Sequence, residues 1–175
     1  YNITYYTYGG KTNNKNVYTI ETESFVLNDS IKDGYNFEGW YRDSSFNNKV
    51  EIISNGSYGN IDLYAKYSLV TYNIEYVLNG AKENNSNNPD SYTIESESFN
   101  IYEITRDGYL FKGWQDSNLN STSQIYKGTF GNITLYAKWE AIFNVEKGII
   151  KSLTSAGKKL DNIIIPEKHC VWRKK

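Results

Sequence analysis

Gly59-Asn60-Ile61-Asp62-Leu63-Tyr64-Ala65-Lys66 returns as Gly131-Asn132-Ile133-Thr134-Leu135-Tyr136-Ala137-Lys138, and the reading of this stretch decides the fold. Ile, Leu and Ala alternate with Asp or Thr, Tyr and Lys, the period of a half-buried β-strand. Outward from it the duplication continues. Gly34-Tyr35-Asn36-Phe37-Glu38-Gly39-Trp40 matches Gly108-Tyr109-Leu110-Phe111-Lys112-Gly113-Trp114, and Tyr18-Thr19-Ile20-Glu21 matches Tyr92-Thr93-Ile94-Glu95. Residues 1–67 and 72–139 are one module written twice. Such a repeat predicts an array rather than a single catalytic pocket.

The spacing between copies changes only in polar stretches. Lys11-Thr12-Asn13-Asn14-Lys15-Asn16 stands against the longer Lys82-Glu83-Asn84-Asn85-Ser86-Asn87-Asn88-Pro89-Asp90, and Arg42–Asn48 against the shorter Asp116–Ser121. Hydrated surface loops accept such changes. Four strand signals keep their length. In the first, Ile3, Tyr5 and Thr7 align with Ile74, Tyr76 and Leu78 as the core face. A second strand starts at Tyr18 or Tyr92 and carries Glu21 and Glu23, or Glu95 and Glu97, with a bend expected near Glu23-Ser24 and Glu97-Ser98. The third follows the turn dipeptides Asp33-Gly34 and Asp107-Gly108. Within it Phe37 and Trp40, like Phe111 and Trp114, are three apart and cannot share one face of a regular strand. A bulge at Gly39 and Gly113 restores both tryptophans to the core. The closing strand is the stretch quoted first. Helical periodicity is absent, apart from a short helical turn allowed between Phe25 and Ile31.

The 175 residues accommodate two modules of about 70 residues and a remnant. Modules so small have little interior, and 17 Tyr, 7 Phe and 4 Trp supply the area to fill it. The fold class expected is mainly β, α+β at most, with boundaries at 1–70, 71–140 and 141–175. The join Ser68-Leu69-Val70-Thr71 is short enough to restrict how the modules orient.

Basic and acidic side chains, 19 and 20, are interspersed to a net charge of −1, which leaves no electrostatic footprint for nucleic acid. The cluster Arg173-Lys174-Lys175 reads as a solvated terminus. One cysteine, Cys170, and one histidine, His169, give neither a disulfide nor a zinc spacing. No run of 18 apolar residues suggests membrane insertion, and a chain without Met that opens on a strand reads as an excised fragment.

The repeated blocks resemble the Listeria–Bacteroides repeat, known from the B repeats of internalin-type surface proteins. Its pattern runs Tyr-x-Ile-x-Tyr, Tyr-Thr-x-Glu, Gly-Tyr-x-Phe-x-Gly-Trp and Gly-x-x-Gly-Asn-x-x-Leu-Tyr-Ala-Lys-Trp. Both copies carry every block, with departures at Ala81 for Gly10, Gln115 for Tyr41, and Tyr67 for Trp139. The resemblance implies two small β-grasp-like modules with little helix, set in series along a bacterial surface protein. Residues 142–166 look like the opening of a BspA-type leucine-rich repeat region, so 141–175 is expected as a partial cap or a disordered tail. A lone partial repeat cannot bury its own apolar face, and Ile163, Ile164 and Ile165 should pack on the second module or lack order.

Catalysis finds no support. The carboxylate pairs Glu21/Glu23 and Glu95/Glu97 recur in both copies without a His or Arg specific to either, and read as solvated or turn-capping rather than as a glycosidase pair. The Asn-rich loops lack the carboxylates and spacing of a calcium site. No cofactor and no metal is expected. Trp40 and Trp114 read as core, with Gly34, Gly108, Gly39 and Gly113 structural. Tyr64 and Tyr136, alternating with core Leu and Ala, are the candidate ligand-binding residues. The function expected is a non-enzymatic, extracellular or cell-surface spacer and adhesion module. The alternative is a carbohydrate- or mucin-binding module, with a host-cell or extracellular glycan or protein as partner.

Overall fold

The computed structural model describes residues 1–163 and residue 165. The chain is mainly β and divides into two compact units, Tyr1–Thr71 and Tyr72–Lys175, with a separate apolar cluster in each module.

The first unit contains β1 (Ile3–Tyr6), β2 (Phe25–Val26), β3 (Tyr35–Tyr41), β4 (Lys49–Val50), β5 (Ile52–Ile53) and β6 (Ile61–Leu69). Its main sheet has the order β1-β6-β3-β4, with β1 parallel to β6 and β3 antiparallel to it, while β2 pairs with β5. The second unit repeats the plan with β7 (Tyr72–Val77), β8 (Ser91–Tyr92), β9 (Phe99–Asn100), β10 (Tyr109–Gln115), β11 (Ser121–Thr122), β12 (Gln124–Ile125) and β13 (Ile133–Ala141). There the order is β11-β10-β13-β7-β8, again with the first long strand, β7, parallel to the last, β13.

The alternation of the closing strand is realised in both units. Leu63 and Ala65, like Leu135 and Ala137, are buried against the tryptophan of the neighbouring strand. That tryptophan depends on a bulge. The β3–β6 register shifts between Phe37 and Gly39, and the β10–β13 register between Phe111 and Trp114. Gly39 and Gly113 there take φ of 139° and 107°, values L side chains rarely adopt. The extra residue lets Phe37 and Trp40 meet edge-on at 5.4 Å, and Phe111 and Trp114 at 5.6 Å, on one face. Each indole then donates through Nε1 at 2.9 Å to a backbone carbonyl, that of Asn28 or Tyr102.

Two local expectations are corrected. Glu21 and Glu23 do not lie on a strand, because the chain turns one step earlier. The Thr22 amide donates to the Thr19 carbonyl at 3.0 Å and the Thr22 hydroxyl accepts from the Thr19 amide at 2.8 Å, a local arrangement that competes with a ladder. Thr93 and Ser96 build the same turn before Glu97. Nor does Phe25 to Ile31 contain a helical turn. Phe25 pairs with Ile53, Leu27 donates to Glu51 at 2.8 Å and Ile31 bridges to Lys11, so the segment is used up in extended pairings.

The copies also differ inside. In the first, Tyr67 donates to Ser30 Oγ at 2.6 Å, Ser30 donates to the Lys11 carbonyl at 2.9 Å, and a Cβ on Gly10 would fall 2.1 Å from the Tyr67 hydroxyl. In the second, Trp139 replaces Tyr67, Ile104 replaces Ser30 and Ala81 replaces Gly10, and the indole donates instead to the Leu78 carbonyl at 2.9 Å. Three positions have changed together.

Beyond β13 the chain forms a hairpin, β14 (Phe143–Glu146) and β15 (Ile149–Leu153), then a single 3₁₀ turn over Gly157–Lys159. It is tied to the second module: Ile142 donates to the Gly108 carbonyl at 3.0 Å, and the Thr154 hydroxyl to that of Ala141 at 2.7 Å. Ile163 and Ile165 are half-buried, whereas Ile164, His169, Cys170 and Arg173-Lys174-Lys175 lie outside the described residues.

Candidate functional site

Tyr64 projects from the outer face of β6, opposite the side that buries Leu63 and Ala65. The pairing of strands puts three tyrosines in one cross-strand row, since Tyr6 of β1 and Tyr41 of β3 both partner Tyr64. The Tyr6 and Tyr64 rings are parallel to 7° with centroids 4.6 Å apart. Phe46 extends the row by meeting Tyr41 edge-on at 5.5 Å. It is held there by Asp43, whose carboxylate accepts from the amides of Ser45, Asn47 and Asn48 at 3.1, 3.2 and 2.8 Å. The Asn47 amide first, and then the donors of Asn48 and Ser45, hold the Asp43 carboxyl below the usual aspartate range.

Tyr136 occupies the matching place on β13 and is 37% exposed, but its row is different. Its strand partners are Val77 and Gln115, and Leu119 stands where Phe46 does. The two tyrosines named from sequence are therefore equivalent in backbone and unlike in surroundings. Tyr6, Tyr41 and Phe46 carry no repeat signal in the sequence, although Tyr6 has the parity that points it away from Ile3 and Tyr5.

Trp40 and Trp114, 2% and 1% exposed, offer no ring face to a ligand. Gly34 and Gly108 take φ of 79° and 80° in the turns before β3 and β10. All four glutamates of the repeated pairs are exposed, and Glu97 forms an ion pair with Lys127 at 2.5 Å. The Asn-rich loops are used in the fold itself. Asn88 is buried, accepts from the Tyr102 amide at 2.6 Å and donates back to the Tyr102 carbonyl at 3.1 Å, and Asn14 does the same to Asn28. A cavity of about 500 Å³ lies in the second unit beside the hairpin, lined by Arg106, Tyr109, Phe143 and Ile150 among others. Its Arg106 is already engaged, donating to the Asn79 carbonyl at 2.7 Å and stacking 3.7 Å from the Tyr109 ring centre. Among the described residues no group of three His, Cys, Asp or Glu side chains converges, and no helix is long and apolar enough to cross a membrane.

The family model for the Listeria–Bacteroides repeat domain matches residues 1–66 and again 72–138. The chain belongs to this family. Among proteins similar to these repeats are internalin H of Listeria monocytogenes serovar 1/2a, 30% identical over 112 residues, and a protein of Evansella cellulosilytica named as a Gly-rich membrane protein, 27% identical over 138 residues. Those matches take in 62% and 75% of this chain but only 20% and 15% of the relatives, so the repeats correspond to a small part of much longer proteins. No solved structure matches.

Proposed function

We propose that the chain is a non-enzymatic pair of β modules from a bacterial cell-surface protein, acting as a spacer that carries an adhesive part away from its anchor. The observation behind this reading is that what the two copies share is a core, a bulge and a set of loop ties, whereas the outer faces have diverged. Modules kept for their scaffold are modules used for reach. Membership in a repeat family that includes a stretch of internalin H supports the surface location. On the same reading the segment from 141 onward leads into a leucine-rich region of the parent protein, as its sequence suggests.

The test is replacement. In the parent protein, the two modules are deleted or exchanged for unrelated β modules of equal length, and attachment of the cells to host surfaces is measured. Attachment lost on deletion and regained with the length-matched exchange supports a spacer. Attachment regained only by these modules would overturn it.

A second reading, carbohydrate binding through exposed aromatics, is favoured by one observation, the parallel Tyr6–Tyr64 ring pair.

A further inference from the structure

The outer face of the first unit carries side chains that the fold does not need. Tyr6, Tyr8 and Asp62 correspond to Val77, Asn79 and Thr134 in the second unit, while Tyr64 corresponds to Tyr136. The core beneath is nearly the same in both, with Ile3, Trp40, Leu63 and Ala65 answered by Ile74, Trp114, Leu135 and Ala137. A module that closes over Val77 and Asn79 requires no tyrosine at either place.

Tyr8 makes the point more sharply. Its φ is 47°, and that of Asn79 is 49°. Asn tolerates this left-handed conformation, and Asn79 also uses its side chain there, donating to the Ala137 carbonyl at 2.8 Å. A bulky aromatic adopts it at a cost, and strain retained where the sister copy avoids it points to use.

Two of these tyrosines stack on one another at the sheet edge. Tyr6 and Tyr64 are separated by 4.6 Å, close to the spacing of about 4.8 Å between paired strands, so the rings stand side by side with their planes across the sheet. β1 is the outermost strand of its sheet, and the pairing beyond it, an Asn2–Val17 bridge with Ile3 donating to Asn16, lies at the opposite end of β1 from Tyr6. Tyr6 and Tyr8 are 41% and 53% exposed. Strand parity sets Asp62 on the same outer face as Tyr64, two residues away, and the register sets Tyr6 beside Tyr64. Local burial first, and then the groups of Tyr6, Asp62 and Tyr8, raise the pKa of the Tyr64 hydroxyl.

We propose that Tyr6, Tyr8, Tyr64 and Asp62 form a binding site for a neutral hexopyranose chain, present on the first module and absent from the second. The proposal rests on the carbohydrate reading above and gives it a location. Sugar rings present an apolar C–H face to an aromatic ring and hydroxyls at their rim. Hydroxyls both donate and accept, so they satisfy a carboxylate such as Asp62 as well as phenols. A proline-rich peptide, the other common guest of tyrosine surfaces, offers carbonyls but no proline N–H, and so brings no donor of its own to the exposed Asp62 carboxylate. The cation on this strand, Lys66, is taken up by Glu38 at 3.1 Å and Asp62 adds a negative charge, so an anionic guest gains nothing.

The experiment titrates the whole 175-residue chain calorimetrically with chitohexaose, with cellohexaose and with a proline decapeptide. The variant is Tyr6→Val with Tyr8→Asn, side chains the second module already shows to suit this backbone, and thermal melting is recorded beside it. The expected result is saccharide binding at one site per chain, weakened on the order of tenfold or more in the variant, with the first unit melting no lower than before. A structural role for the two tyrosines would instead lower the melting temperature. If neither saccharide binds, or only the peptide does, the carbohydrate reading itself falls. If a saccharide binds with undiminished affinity in the variant, or at two sites per chain, that reading stands and this site is wrong.

Discussion

Gly10 and Tyr67 fit only one another. A methyl group at Gly10 would meet the Tyr67 hydroxyl at 2.1 Å and Ser30 Oγ at 2.8 Å, so Gly10→Ala should destabilise the first unit by about 1–3 kcal/mol through overpacking. Adding Tyr67→Phe removes the nearer oxygen and should recover part of the loss, measured as the denaturation midpoint of that unit. Buried phenols supply a second residue-scale expectation. Burial raises the pKa of Tyr5 to about 12, and burial followed by the Asp90 charge raises that of Tyr76 to about 12. For a group raised in the folded state, the stability it adds is complete below the ordinary tyrosine value of about 10 and is lost as pH climbs through the folded value. Tyr5→Phe and Tyr76→Phe should therefore each shift alkaline unfolding of their own unit to higher pH, followed by circular dichroism. At this scale the sequence was legible for the core, because alternation fixes parity. It was less legible for the outer face, since a sequence shows that Tyr64 and Tyr136 point outward but not which strand lies beside each.

Among the elements, the long strands and the bulges could be read from spacing, whereas the two-residue strands β2, β4 and β5 could not. They are too short to show a period, and they exist because loops folded by other contacts bring them together. The turn before Glu23 was misread for a related reason: Thr19 and Thr22 have strand-forming side chains, yet their hydroxyls bond locally. The loops after β3 and β10 give an acid-side expectation. Hydrogen bonds from Asn47 and from Asn120 are the largest causes holding Asp43 and Asp116 below their ordinary range. The stability a lowered carboxyl adds is present above the ordinary value of about 4 and disappears as pH falls through the folded one. Asp43→Asn should flatten this part of the acid limb for the first unit, seen in urea titrations at a series of pH values. An unchanged limb would mean that the Asp43 carboxylate contributes nothing to folding. Asn88 ties its loop to Tyr102 in the other copy, and Asn88→Ala, which leaves the Tyr102 amide without its acceptor while the Tyr102 carbonyl keeps the Trp114 indole, should cost about 1–3 kcal/mol.

For the whole molecule, each module has its own closed core, so stability belongs to units rather than to the chain. Trp40→Ala should cost about 3–5 kcal/mol, and calorimetry should show the loss in the transition of the first unit, with the second keeping its own. A single transition that moves as one body would contradict this. Duplication made this level of organisation the easiest to read, and the hairpin at 143–153 the hardest, since nothing in the repeat describes it. The parallel pairing of first and last long strands, β1 with β6 and β7 with β13, has a mechanical consequence. Tension along the chain pulls the two partners past each other along their own length, so the bonds joining them are loaded in shear and must break together. β14 and β15 are antiparallel neighbours joined by a tight turn, and tension at their open end undoes them one bond at a time. A single chain stretched between two supports should release the hairpin at low force and hold both modules to much higher force, giving a tether that yields a little before it resists.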